Sequence, residues 1–165
     1  MDGQEELLLA VLNSAPMVDG RPVDGLDGEP GRQLALSRGG TGATDEVAQL
    51  RRARDSIQSV VRGDDPSAID ELTRLIDGTV RTPRVTRDGI VWEIDSRAEN
   101  SLAVRTVLAW STVTRQYPGR LRACANDECN LFLIDHSRPG TAKWCSMATC
   151  GNRMKARTHA SRSRS

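Results

Sequence analysis

A chain of 165 residues is long enough for one domain, or for a modest domain with a small appended module. It holds three Trp, one Tyr and one Phe, so its core has to be built from Leu, Val, Ile and Ala, and no apolar run is long enough for a transmembrane helix. The net charge of +1 hides an asymmetry, with 13 basic against 19 acidic residues over 1–114 and 10 against 3 over 115–165. A nucleic-acid-binding end produces such a split. So does a basic tail that only solvates the chain or docks on an acidic body. Arg supplies nearly all the positive charge, with Lys only at 143 and 155, a bias that fits a GC-rich bacterial genome.

Residues 4–13 combine strong helix formers with a continuous apolar run and predict a short buried helix. Residues 14–32, rich in proline, glycine and acids, predict loop, and the stretch 14–43 is a candidate lid. Thr44 is placed to cap a helix whose first turn holds Asp45 and Glu46. Val47, Leu50, Ile57, Val60 and Val61 form its apolar stripe, and Gly63 ends it. Arg51, Arg52 and Arg54 lie off that stripe, on an expected solvated face. Asp65-Pro66 opens a second helix, with Ile69, Leu72, Leu75 and Ile76 as its buried side and Gly78 as its stop. Val80 to Glu93 reads as a hairpin turning at Asp88-Gly89, with Ile90–Ile94 as a strand. Residues 97–116 predict a helix that is apolar nearly all round and therefore central, or else a contact for a second copy. Pro118-Gly119 stops it.

These elements give an α+β chain, mainly helical. A helical body over 1–117 carries one small hairpin, a compact module spans 118–160, and a basic tail, 161–165, is expected to be disordered.

All four cysteines fall in the module, as Cys-Ala-Asn-Asp-Glu-Cys at 124–129 and Cys-Ser-Met-Ala-Thr-Cys at 145–150. Two short cysteine pairs with a spacer between them are the pattern of a tetrahedral zinc site. The competing reading is two disulfides in a secreted protein. The opening Met-Asp-Gly-Gln-Glu-Glu has no basic n-region and no long apolar run, so the expectation is a reducing cytoplasm and free thiols. One Zn²⁺ held by Cys124, Cys129, Cys145 and Cys150 has a closed shell, which makes it structural rather than catalytic. Around it the sequence predicts a knuckle, a short strand at Leu131–Ile134, a turn at His136–Gly140, and a helix from Ser146 to about Ala160. That is a treble-clef-like order. Phe132 and Trp144 are expected to cover the site, and Arg122, Lys143 and Arg153 to offset the thiolate charge.

The run Trp144-Cys-Ser-Met-Ala-Thr-Cys-Gly-Asn-Arg153 closely resembles the signature of the CGNR zinc finger family, named for Cys150-Gly151-Asn152-Arg153. Leu131-Phe-Leu-Ile-Asp135, followed by Ser137-Arg138, is similar to that family's segment between cysteine pairs. The body is similar, more loosely, to the ABATE domain that usually precedes such a finger, through its Leu-Leu-Ala-Val-Leu-Asn13 opening and its Asp88-Gly89 hairpin. The resemblance implies a stress-linked bacterial transcription regulator whose finger contacts DNA and whose body senses a signal.

A helix after Cys150 would set Asn152, Lys155 and His159 on one side and Arg153 and Arg157 on an adjacent row. Arg, Lys and Asn are the residues that read base edges and phosphates. Arg138 and Lys143, between the cysteine pairs, are further DNA candidates, and Arg162 and Arg164 would add phosphate contact. Against this, Asn152 and Arg153 directly follow a ligand and would serve as well to brace the metal site, and Lys155 and Arg157 would serve as simple solvation. A zinc-stabilised module that binds protein without DNA is the alternative function. No Ser-His-Asp, phosphate-loop or paired-acid pattern points to an enzyme. A protein partner or small-molecule effector is expected at the body, with no membrane association and with a homodimer if a palindrome is read.

Overall fold

The computed structural model describes residues 3–162. Its elements are α1 (Gly3–Leu12), a tiny hairpin β1 (Met17–Val18) and β2 (Arg21–Pro22), α2 (Gly28–Ser37), α3 (Thr44–Arg62) and α4 (Ala68–Ile76). There follow β3 (Val80–Thr86), β4 (Gly89–Asp95), a single 3₁₀ turn (Ala98–Asn100), α5 (Ser101–Gln116), β5 (Leu121–Ala123), β6 (Phe132–Ile134) and α6 (Asn152–Arg162). The strands form three separate antiparallel two-stranded sheets. The chain is thus mainly helical, with a four-cysteine module at its C-terminal end.

α1, α3, α4 and α5 pack around one aliphatic core. Leu8 and Leu12 of α1 meet Ala53 and Ile57 of α3, Leu72 and Leu75 of α4, and Ala103, Val107 and Val113 of α5. A smaller cluster joins Leu7, Val11, Leu26, Ala35, Val47, Leu50 and Leu102. α5 is central, as its apolar character predicts, and spends that surface inside its own chain. α3 ends at Gly63, whose φ of 74° provides the left-handed cap. At its start Thr44 lies inside the first turn, and Ala43 holds the cap position. The capping work is done from Glu46, which is buried and whose carboxylate accepts from the backbone N–H of Thr41 (2.7 Å) and Gly42 (2.8 Å).

The stretch 14–43 departs from the expected loop. It holds the ten-residue helix α2, and Leu26 ahead of it is fully buried. Gly28, Pro30 and Gly31 lower its intrinsic helix propensity, but proline is tolerated in a first turn and Gly31 is needed. A Cβ at Gly31 would come within 2.3 Å of the Leu26 carbonyl oxygen, so only glycine lets the helix sit against that turn. Tertiary packing overrides local propensity, and the segment is built in rather than a free lid.

Arg54 also departs from the expected solvated face. It is buried, and its guanidinium reaches Asp24 (2.5 Å), Ser14 (3.2 Å) and Asp55 (2.8 Å). The hydrogen bond from Arg54 holds the Asp24 carboxyl down at about 2. Arg51 joins the same carboxylate at 3.0 Å, so these arginines pin the 14–27 segment to α3. Only Arg52 is outward, paired with Glu71. Ile69, expected on the buried side of α4, is exposed. In the β3–β4 hairpin the turn residues are Arg87 and Asp88, with Gly89 already paired to Thr86.

Candidate metal centre

β5 and β6 form a short hairpin in which Leu121 pairs with Ile134, Arg122 with Leu133 and Ala123 with Phe132. The first cysteine pair lies in its loop, at the point where the chain reverses. Cys124 N donates to Leu131 O (2.8 Å) and Cys129 N to Asn126 O (2.8 Å), which closes the knuckle. The second pair comes from the start of the terminal helix. Residues Met147–Gly151 form a wide π-type turn, in which Gly151 N donates to Ser146 O (2.9 Å), and Cys150 rides on it. Ser146 has the extended conformation of a cap residue, without a side-chain cap bond. Knuckle, hairpin and ligand-bearing helix stand in treble-clef-like order.

The four Sγ atoms lie within 4.8 Å of one another. Cys129 and Cys145 are 3.7 Å apart at sulfur, as are Cys145 and Cys150. These separations exclude disulfides, and the cysteines are free. They match a tetrahedron of sulfurs about 2.3 Å from one Zn²⁺, whose edge is about 3.8 Å. As a thiol, Cys145 is pushed well above the ordinary range by burial and then by its sulfur neighbours, and burial raises Cys129 as well. Burial opposes ionisation of Cys150 too, but the hydrogen bond from Asn126 and the neighbouring thiols bring it down. A divalent cation reverses that crowding by binding the thiolates. The residues fit one structural zinc ion with a closed four-sulfur shell.

Three hydrogen bonds point at the sulfurs. Asn126 Nδ2 donates to Cys150 (3.4 Å), Leu131 N to Cys129 (3.5 Å) and Cys145 N to Cys124 (3.4 Å). Such donors stabilise thiolate charge and orient the ligands. Asn126 is therefore a site residue that turn chemistry alone conceals: it is buried, and its Oδ1 also accepts from Glu128 N (3.3 Å). Asn152, expected either to brace the metal or to touch DNA, is exposed and bonds only back to Ala148 O (3.4 Å). Arg122 does not reach the thiolates through these bonds; its guanidinium donates to the carbonyls of Gly119 (2.7 Å) and Gly140 (2.9 Å). Those bonds, with the buried Asp135 accepting from Ser137 N and Ala142 N, order the 136–142 turn. Gly151 serves close packing, since a Cβ there would crowd Met147 Sδ at 2.8 Å and Trp144 at 3.2 Å.

Trp144 thus lies beside the site, while Phe132 points elsewhere. Phe132 is 1% exposed and belongs to the body's core with Leu8, Leu12 and Ile57, as does Ile134. Asn13 clamps the same strand: its Oδ1 accepts from Phe132 N (2.7 Å) and its Nδ2 donates to Phe132 O (3.2 Å). His136 lies outside the sulfur cluster, with Nε2 at 3.0 Å from Glu5 of α1 and its ring edge-on to Tyr117. The module's hairpin is part of the body's core.

The remaining predicted site residues fall on two segments. Arg153, Lys155 and Arg157 lie exposed along α6, whose only less exposed side chain between 152 and 161 is Met154. Arg157 pairs with Glu128 of the knuckle at 2.6 Å. Arg138 and Lys143 are exposed on the turn between the cysteine pairs. The helix continues to Arg162, and the rest of the predicted 161–165 tail, with Arg164, lies outside the described residues. No helix among the described residues is long and apolar enough to cross a membrane.

Residues 120–163 match the family model of the CGNR zinc finger. The match covers both cysteine pairs and α6. No curated protein matches the chain.

Proposed function

We propose that this chain is a DNA-binding transcription regulator that contacts DNA through α6, with the helical body receiving a signal or partner. One observation carries the reading. α6 is exposed almost all round and carries Arg153, Lys155 and Arg157 with no acidic residue along its length. A polar helix without a packed face gains little from its own chain. Its anchorage at Cys150 fixes its direction and leaves its length clear for a groove. The ion pair that engages Arg157 is exposed at both ends and screened by solvent, so a phosphate readily replaces Glu128. Zinc supplies the rigid root of the helix and takes no part in contact. In the body, a hollow of about 320 Å³ between Leu26–Arg32 and Gly42–Arg51 is a candidate place for a small effector.

The test is binding of zinc-loaded protein to random-sequence duplex at low salt, followed by selection from a random pool with a zinc-stripped control. The expected result is salt-sensitive affinity that falls at least tenfold in the Lys155→Ala, Arg157→Ala double variant, with a shallower salt dependence. Equal affinity in the two proteins removes α6 from the contact. No binding at micromolar protein leaves a zinc-stabilised protein-interaction module as the function.

A further inference from the structure

The four sulfurs do not share one environment. Cys124 and Cys150 are buried, whereas Cys129 and Cys145 are half-exposed. The hydrogen bonds divide them again. Cys150 accepts from Asn126 Nδ2, Cys129 from Leu131 N and Cys124 from Cys145 N. Among the described residues no N–H is directed at Cys145 Sγ, whose own contacts are with the sulfurs of Cys129 and Cys150, each at 3.7 Å. Cys145 is thus the one sulfur that is both open to solvent and without such a donor.

In the filled site all four sulfurs are thiolates, so the degree of ionisation does not rank them. Access and electron density do. A donated N–H draws charge from a thiolate, and nucleophilicity falls with basicity. Oxidants act on thiolates that solvent reaches. Both criteria select Cys145. Cys129 shares its exposure and stands beside it, from the opposite half of the module.

We propose that Cys145 and Cys129 form a hydroperoxide-sensitive pair, which closes into a disulfide and so releases the zinc ion. The Cys145 thiolate attacks one oxygen of the peroxide. An S–O bond forms, the O–O bond breaks, and the second oxygen leaves as hydroxide or alkoxide. Cys145 is then a sulfenic acid. The Cys129 thiolate attacks that sulfur, the S–S bond forms, and hydroxide leaves. Two electrons have passed from the sulfurs to the peroxide, and two anions have replaced two thiolates. Cys150 lies as near to Cys145 but is the poorer partner. Its donor Asn126 is buried, so a bond between Cys145 and Cys150 would leave that amide without its acceptor. Leu131, the donor to Cys129, is only half-buried, so water can replace the sulfur.

The pair left behind does not hold the ion. Cys124 and Cys150 supply two of the four sulfurs that a structural site needs. Their burial keeps them reduced, so a thiol reductant should restore the site. The hairpin between the cysteine pairs carries Phe132 into the body's core, so oxidation is felt beyond the module. None of this depends on what α6 binds.

Treatment of the zinc-loaded full chain with graded hydrogen peroxide tests the pair. A chromogenic chelator should report one zinc released per disulfide formed. Peptide mapping after thiol blocking should find Cys129 joined to Cys145, with Cys124 and Cys150 still thiols. Cys145→His and Cys129→His each keep a shell of three sulfurs and one nitrogen, which zinc accepts. The first should slow zinc release roughly tenfold, since the most open sulfur is gone. The second should leave the first oxidation within about threefold and let dimedone capture the sulfenic acid at Cys145. Zinc retained at a peroxide dose that fully oxidises free cysteine overturns the proposal. So does a first disulfide that includes Cys124 or Cys150, or a Cys145→His protein that loads zinc and loses it as fast as the unaltered chain. If either variant fails to load zinc, the mapped disulfide of the unaltered chain still decides.

Discussion

Two antiparallel hairpins in this chain meet opposite fates. β3–β4 is the longer, seven residues on each strand, and all of it faces solvent. β5–β6 has three residues on each strand, yet β6 is buried throughout. Backbone pairing is the same in both, so pairing does not decide burial. The short hairpin is held at two ends. Its loop is the zinc knuckle, and its strand Phe132–Ile134 enters the core between α1 and α3. The long one has its own ladder, the Arg84–Glu93 and Arg81–Trp92 contacts, and Ile94 at its base beside Leu7 and Leu108. A short strand with a metal at one end and a core at the other is better fixed than a long strand with neither.

The largest break in that comparison is removal of the metal. Structural zinc contributes on the order of 10 kcal/mol to such a module. A free-standing finger would unfold alone and leave the body intact. Here the hairpin that zinc closes also supplies Phe132 and Ile134 to the body's core, so chelation should lower the melting temperature of α1, α3, α4 and α5 as well. Circular dichroism at 222 nm, with and without a chelator, reads this directly. The same is expected of Cys124→Ser. A body transition unchanged by chelation would show that the hairpin does not depend on the metal for its place.

Next in size is Phe132→Ala. The side chain is almost fully buried, with Arg62 stacked on its ring at 4.7 Å, and deletion of a buried Phe costs about 3–5 kcal/mol. Urea unfolding should show that loss in one transition shared by body and module. Zinc stoichiometry in native buffer should stay at one per chain, because Phe132 supports the hairpin rather than covering the sulfurs.

The sequence made the metal centre legible because zinc chemistry is written in residue type and spacing, and both are local. α1, α3 and the two hairpins were legible for a similar reason: periodicity and turn dipeptides act over a few residues. What escaped depends on distant partners. α2 is hidden by Gly28, Pro30 and Gly31, and only the Leu26 carbonyl against Gly31 explains it. Arg54 reads as surface until Asp24, thirty residues away, is seen to hold it. Asn126 is an ordinary turn residue in sequence, and its donation to Cys150 crosses the gap between the cysteine pairs. Phe132 next to a cysteine pair suggests a cover for the metal, and nothing local reveals the core that takes it instead. The absence of acidic residues from α6 is likewise a local signal, readable without distant partners.

The smallest expected effect lies on the exposed hairpin. Val85→Thr replaces a methyl with a hydroxyl at a position 82% exposed, so no buried polar group is created and no cavity opens. Surface changes of this kind stay within about 0.5 kcal/mol. Ile134→Thr exchanges an ethyl for a hydroxyl at a buried position in the short hairpin, so it leaves a hydroxyl short of a partner, at about 1–3 kcal/mol, and removes one buried carbon, at roughly another 1 kcal/mol. Both variants keep a β-branched side chain, so strand propensity is nearly constant between them. Chemical denaturation of the two, compared under identical conditions, separates burial from pairing. A loss for Val85→Thr as large as that for Ile134→Thr would mean that the long ribbon is covered within its own chain.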